Sequence, residues 1–194
     1  NSEIAVSFFS SPYVYVYPWT PGTGFGTKYA DPATLPTYAD KVTFNPSGTD
    51  IALTSSFTGF KIWVYPWVSG TGFGTKYADP ATLPSATFRS NVKFSPSGTD
   101  IAVTTDNAPY IHAYPWTSVT GFGTKYADPA TPLANGAFYG GALAFNSTGT
   151  AIATGGPSLV NVYAWKSGTG FGTKYADPVS GSPTSFDITF YNKK

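Results

Sequence analysis

No cysteine occurs in the 194 residues. Its absence excludes a disulfide framework, thiolate chemistry and zinc-finger ligand spacing. Histidine occurs once, at His112, so no Ser-His-Asp or Cys-His constellation can be built away from that residue. Charge is also scarce, at 11% of residues against about 25% in an ordinary soluble domain. The net charge is +1, and the only adjacent basic pair is Lys193–Lys194. A groove that tracks phosphates needs a basic stripe, so nucleic acid is not an expected partner. No apolar run is long enough to span a bilayer, because the most apolar stretch, 4–19, is broken by Ser10, Ser11, Pro12 and Pro18. No basic segment precedes an apolar run at the start, so no signal peptide is expected in the chain. Carboxylates at D-x-D spacing are missing, which argues against a calcium loop, and no cofactor or metal is expected.

What the chain has in abundance is repetition. TGFGTKYADP occurs four times without change, at 23–32, 71–80, 120–129 and 169–178, and Phe25, Phe73, Phe122 and Phe171 mark copies spaced 48, 49 and 49 residues apart. A fixed period of that size means one supersecondary unit stacked on copies of itself. Aromatics at 18%, 21 glycines and 17 prolines suit short strands joined by turns, and a hydrophobic fraction of 41% argues against disorder.

One unit, 91–129, shows the pattern. A short alternating strand a (91–94) stops at the turn Ser95-Pro96-Ser97-Gly98, and strand b follows at 101–104. Strand c (110–114) is marked by Pro115, and strand d (121–128) is stopped by Pro129. The same positions recur as Val42/Phe44, Val92/Phe94, Leu143/Phe145 and Ile188/Phe190 in strand a. In strand b they are Ile51-Ala52, Ile101-Ala102 and Ile152-Ala153, and YPW or YAW ends strand c. Four short antiparallel strands per unit make a propeller blade, so the expected fold is all-β: one domain over 1–194, with blades at about 41–80, 91–129 and 140–178. A fourth blade is split between 1–32 and 187–194, because Ile4-Ala5-Val6 matches strand b and 187–190 matches strand a. Pairing of the two ends removes a sheet edge. It can close a four-bladed ring, or join two chains as a homodimer with eight blades, or run on as a filament.

VTFNPSGTDIA, VKFSPSGTDIA and LAFNSTGTAIA resemble the strand-turn-strand core of WD40-like propeller blades, without that family's WD and GH dipeptides. The GFGTKYADPATLP stretch is similar to low-complexity propeller repeats of tailed bacteriophages, which implies a virion-associated or extracellular setting and supplies no site residues.

Variation within the chain points to one face. The a–b turns and the c–d segments barely change, whereas the b–c loops (7–12, 55–60, 105–109, 155–159) and the d–a loops (37–40, 85–90, 134–140, 181–186) change freely. In an up-and-down blade these two loop sets emerge together. The expected contact residues are Tyr38, Asp40, Phe57, Phe60, Phe88, Arg89, Asp106, Asn107, Tyr110, Phe138 and Tyr139, whose aromatic and amide groups suit stacking on sugars or a protein epitope. Unconstrained loops also drift, so a structural building block that assembles without a ligand is the competing reading. Glu3, Asp40, Asp106 and Asp187 are the carboxylates outside the repeated positions, and Asp106 with Asp187 is the pair considered for acid/base work. With His112 replaced by Tyr15, Trp63 and Asn161 in the other units, the expectation is a non-enzymatic propeller. Lys28, Lys76, Lys125 and Lys174, with the prolines that follow, read as guards on the exposed strand d. Reading GFG as a phosphate cradle is weak because no helix follows. Asn146-Ser147-Thr148 is a glycosylation sequon, meaningful only in a glycosylating export pathway.

Overall fold

The computed structural model describes residues 2–57, 59–88, 90–133, 141–156, 159–179 and 187–191, with backbone only at Leu159. Fifteen strands and no helix make four antiparallel sheets among the described residues. Blade I contains β1 (Ser2–Ser7), β2 (Val14–Thr20) and β3 (Gly24–Phe25). Blade II contains β4 (Lys41–Phe44), β5 (Asp50–Ser55), β6 (Lys61–Val68) and β7 (Gly72–Phe73). Blade III contains β8 (Asn91–Phe94), β9 (Asp100–Thr104), β10 (Ile111–Thr117) and β11 (Gly121–Phe122). Blade IV contains β12 (Leu143–Phe145), β13 (Ala151–Gly156), β14 (Leu159–Lys166) and β15 (Gly170–Lys174). Strands follow chain order across each sheet, as the repeat requires, and the fold is that of a four-blade β-propeller.

Each a–b turn is built by its own side chains. In blade II the Asn45 carboxamide oxygen accepts from the N–H groups of Thr49 (2.9 Å) and Asp50 (3.1 Å), and Gly48 takes the left-handed φ of 69° that the turn needs. In blade IV Asn146 repeats the arrangement with Thr150 and Ala151.

Strand d is much shorter than expected in blades I to III, at two residues each. The reason is the proline of YPW. Pro18, Pro66 and Pro115 have no N–H, so the ladder is interrupted opposite them. There a glycine comes so close that a Cβ on Gly74 or Gly123 would lie 3.0 Å from the proline Cβ. Blade IV carries Ala164 instead, and β15 extends to five residues, with Tyr163 paired to Lys174. That pairing draws on the N–H at position 164, which a proline cannot supply.

The cores lie between blades. Val14, Val16, Ile51, Leu53, Tyr65 and Trp67 fill the seam from I to II. Ile62, Val64, Val92, Ile101, Tyr114 and Trp116 fill that from II to III. Ile111, Ala113, Leu143, Ile152, Tyr163 and Trp165 fill that from III to IV. In blades II, III and IV the tryptophan that ends strand c is ringed edge-on by three aromatics. Trp67 meets Phe44 (5.5 Å), Phe73 (5.1 Å) and, from the preceding blade, Tyr29 (4.8 Å). Trp116 meets Phe94, Phe122 and Tyr77, and Trp165 meets Phe145, Phe171 and Tyr126 in the same geometry. Such pairs each add about 0.5–1.5 kcal/mol beyond area burial.

Blade I departs from the expectation of a blade completed by the chain's other end. Its sheet has three strands, and β1 pairs only with β2 among the described residues. Residues 187–191 form no strand. Ile188 and Thr189 instead lie beside Lys93, Phe94, Pro96 and β12, on the inner strands of blades III and IV.

Candidate functional site

The b–c loops of blades I and II and the d–a loop between them gather three exposed or half-exposed rings into a stack. Phe9 and Tyr38 lie 4.9 Å apart at 12°, and Tyr38 and Phe57 lie 5.6 Å apart at 25°. Phe9 is 51% exposed and Phe57 76%, so the ladder presents flat apolar area to solvent. Phe9 is absent from the expected contact residues. The ring at position 9 belongs to the b–c loop of blade I, and only the fold brings it to the d–a loop that carries Tyr38.

Two carboxylates organise these loops, Asp40 two residues past Tyr38 and Asp106 in the b–c loop of blade III. Asp40 Oδ2 accepts from Ser56 Oγ (2.8 Å), Ser90 Oγ (2.9 Å) and the Ser90 N–H (3.1 Å). This carboxylate therefore ties the b–c loop of blade II to the entry of blade III. Asp106 takes its partners from the 85–90 loop. Its Oδ1 accepts from the Thr87 N–H (2.8 Å), and its Oδ2 accepts from Thr87 Oγ1 (2.5 Å) and the Phe88 N–H (3.1 Å). Phe88 is exposed beside it. Asn107 donates from Nδ2 to Ser85 Oγ at 3.3 Å and, through its carbonyl, accepts from the Tyr110 N–H.

Other expected contacts are placed elsewhere. Phe60 is only 4% exposed and belongs to the core between blades II and III, because its ring turns inward against Ile62; it is not a surface contact. Tyr110 is half-buried against the III–IV core with a left-handed φ of 71°, so it offers little surface. Arg89, Phe138 and Tyr139 lie outside the described residues. Asp187 accepts from the Ile188 N–H at the start of the segment beside β8 and β12, and Asp106 sits in the loop after β9.

His112 is buried, and its Nε2 lies 3.2 Å from Thr105 Oγ1. Burial and the neighbouring Lys125 ammonium push its pKa down to about 4. In sibling blades the same strand position offers a π face to that lysine, with Lys28 4.7 Å over Tyr15 and Lys76 5.2 Å over Trp63. The imidazole is thus a neutral packing group at the outer strands, away from the ladder.

Among the described residues, no three His, Asp or Glu side chains gather where a metal could be held. No helix there is long and apolar enough to cross a membrane.

No family profile matches the chain, and no curated protein does either. Solved structures do match. A putative 6-phosphogluconolactonase from Bacteroides uniformis is 14% identical with a TM-score of 0.61, over 92% of this chain and 55% of that one. The periplasmic gluconolactonase of Pseudomonas aeruginosa is 20% identical at a TM-score of 0.57, over 89% and 49%. Sqt1 of Chaetomium thermophilum, a WD40-type propeller, is 18% identical at 0.56, over 88% and 44%. The chain thus has a β-propeller fold shared with WD40-type proteins and with gluconolactonase-like ones, and it spans about half the length of those structures. Identities this low carry the fold alone.

The expectation of a non-enzymatic recognition propeller is corrected by these matches. It rested on the scarcity of histidine and on a scaffold reading of the fold, yet this same arrangement of blades is found in proteins named for lactonase activity. Neither ground excludes catalysis by carboxylates.

Proposed function

We propose that the loop face is the active site of a hydrolase acting on a sugar lactone. The observation that carries this reading is the stacked ladder Phe9–Tyr38–Phe57 on the loops that Asp40 holds, with the Asp106 carboxylate on the next b–c loop of the same set. Pyranose-derived rings present C–H faces that stack on aromatics and hydroxyls that need carboxylate or hydroxyl partners. Asp40, through its serine partners, holds the loops that carry Tyr38 and Phe57. Asp106 Oδ1, which accepts from the Thr87 N–H, keeps a second lone pair for a water. As general base it takes a proton from that water while the oxygen adds to the lactone carbonyl. The ring C–O bond then breaks, and the departing alkoxide regains a proton to leave the open hydroxy acid. The likeness to gluconolactonase-like structures supports the substrate class. A homodimer completing an eight-bladed ring is compatible with the site, since the ladder and both carboxylates lie within one chain.

The test is pH-stat hydrolysis of glucono-δ-lactone above the uncatalysed rate. Phe57→Ala should raise KM, and Asp106→Asn should lower kcat by about 10²–10⁴-fold. A wild-type protein that adds nothing to the background rate overturns the reading.

A further inference from the structure

Three of the seams between blades are visible, and each is held by the same residues. The strand d tyrosine of one blade meets the strand c tryptophan of the next: Tyr29 with Trp67, Tyr77 with Trp116, Tyr126 with Trp165. The acid before strand b reaches the serine two residues past that tryptophan. Glu3 accepts from Ser69 (2.5 Å), and Asp50 accepts from Ser118 (2.5 Å). At the third seam Ser167 lies 3.1 Å from Thr99 Oγ1, which donates to Asp100 at 3.2 Å.

The outer faces of blades I and IV are the two unmatched halves of a fourth seam. Tyr175 occupies the place of Tyr29, Tyr77 and Tyr126, and it is 53% exposed. Trp19 occupies the place of the three buried tryptophans and is half-exposed. Its only ring contact among the described residues is Phe25. Val6, at the position of the fully buried Leu53 and Val103, is also exposed. The polar clasp is missing from both faces at once: Ala151 replaces the acid and Pro21 replaces the serine. An acid or a serine left alone in a closed seam would be buried without a partner. Their joint replacement by two apolar residues suits these two faces to each other.

We propose that the blade IV face of this chain docks on the blade I face of a second copy, and the reverse, closing an eight-bladed ring with two-fold symmetry. The second copy is favoured over closure within one chain by the pitch of the blades. Four blades superimpose on about half of longer propellers, so successive blades turn through the smaller angle of a larger ring. The tyrosine and tryptophan of one chain therefore stand at opposite ends of an arc.

The cysteine-free sequence makes the test direct. Pro21→Cys and Ala151→Cys are introduced together and treated with a short bis-maleimide, with each single variant as control, and products are read on denaturing gels and by native mass spectrometry. The expected product is a single covalent species at twice the 20.5 kDa chain mass, with native mass doubled before cross-linking. Tyr175→Arg, which alters an exposed side chain and leaves the three internal seams intact, should return the native mass to one chain. A cross-link within one chain, a ladder of higher multiples, or an uncross-linked monomer at all concentrations would each overturn the proposal.

Discussion

Removing the Asp50 carboxylate should be among the most damaging single changes in the molecule. Asp50 is fully buried, and its oxygens collect donors from two blades. Oδ2 accepts from Asn45 Nδ2 (2.7 Å), Ser118 Oγ (2.5 Å), Trp116 Nε1 (3.3 Å) and Thr49 Oγ1 (3.3 Å), and Oδ1 accepts from Tyr77 OH (3.0 Å). A hydrogen bond to a charged group is worth about 1.5–3 kcal/mol, and the donors left behind carry their own desolvation cost. The five bonds are one network and do not add, so Asp50→Ala should cost about 3–5 kcal/mol. In a chain of this size that lowers Tm by about 6–20 °C. Asp50→Asn should also destabilise, because an amide presents N–H donors to a ring of donors. Asp100→Ala should cost less, since its side-chain donors among the described residues are Tyr126 OH and Thr99 Oγ1. Urea denaturation with an unchanged m-value provides the measurement. A loss below about 1 kcal/mol for Asp50→Ala, or the reverse order of the two aspartates, would refute the seam argument.

Further outcomes follow from other features. The folded-state pKa of His112 is depressed from 6.5 to about 4, so its contribution is fully present above pH 6.5 and is lost as pH falls toward 4. That loss amounts to at most about 3 kcal/mol, and His112→Gln should flatten the stability profile in that window. Tyr77 shows the opposite case: desolvation, helped by its bond to Asp50, raises its pKa from 10.0 to about 12. Stability should therefore fall between pH 10 and 12, and less so in Tyr77→Phe, read by denaturation across that range. Ala164→Pro should shorten β15 to the two-residue form of its siblings at a cost of about 1 kcal/mol, seen as faster amide exchange near Lys174.

The blades were legible because the repeat writes the same residues at the same offsets. Val92, Phe94, Ile101 and Tyr114 are all buried, as the alternation of short strands implies. The length of strand d was not legible from alternation, since it depends on whether position 115 or 164 can donate an N–H to a neighbouring strand. The loop face was partly legible. Tyr38 and Phe57 do meet, but Phe9 joins them from another blade, and Phe60, two residues before the buried Ile62, turns into the core. Loop composition alone does not distinguish those orientations.

The seam pattern also sets the order in which the molecule comes apart. Blades II and III each share two seams, whereas blades I and IV each share one, and blade I has three strands in place of four. In a structure held by nearest-neighbour contacts, opening begins where a unit has fewest neighbours. In a chain without a docked second copy, proteases should therefore enter first through blade I and proceed inward, leaving II and III as the most persistent fragment.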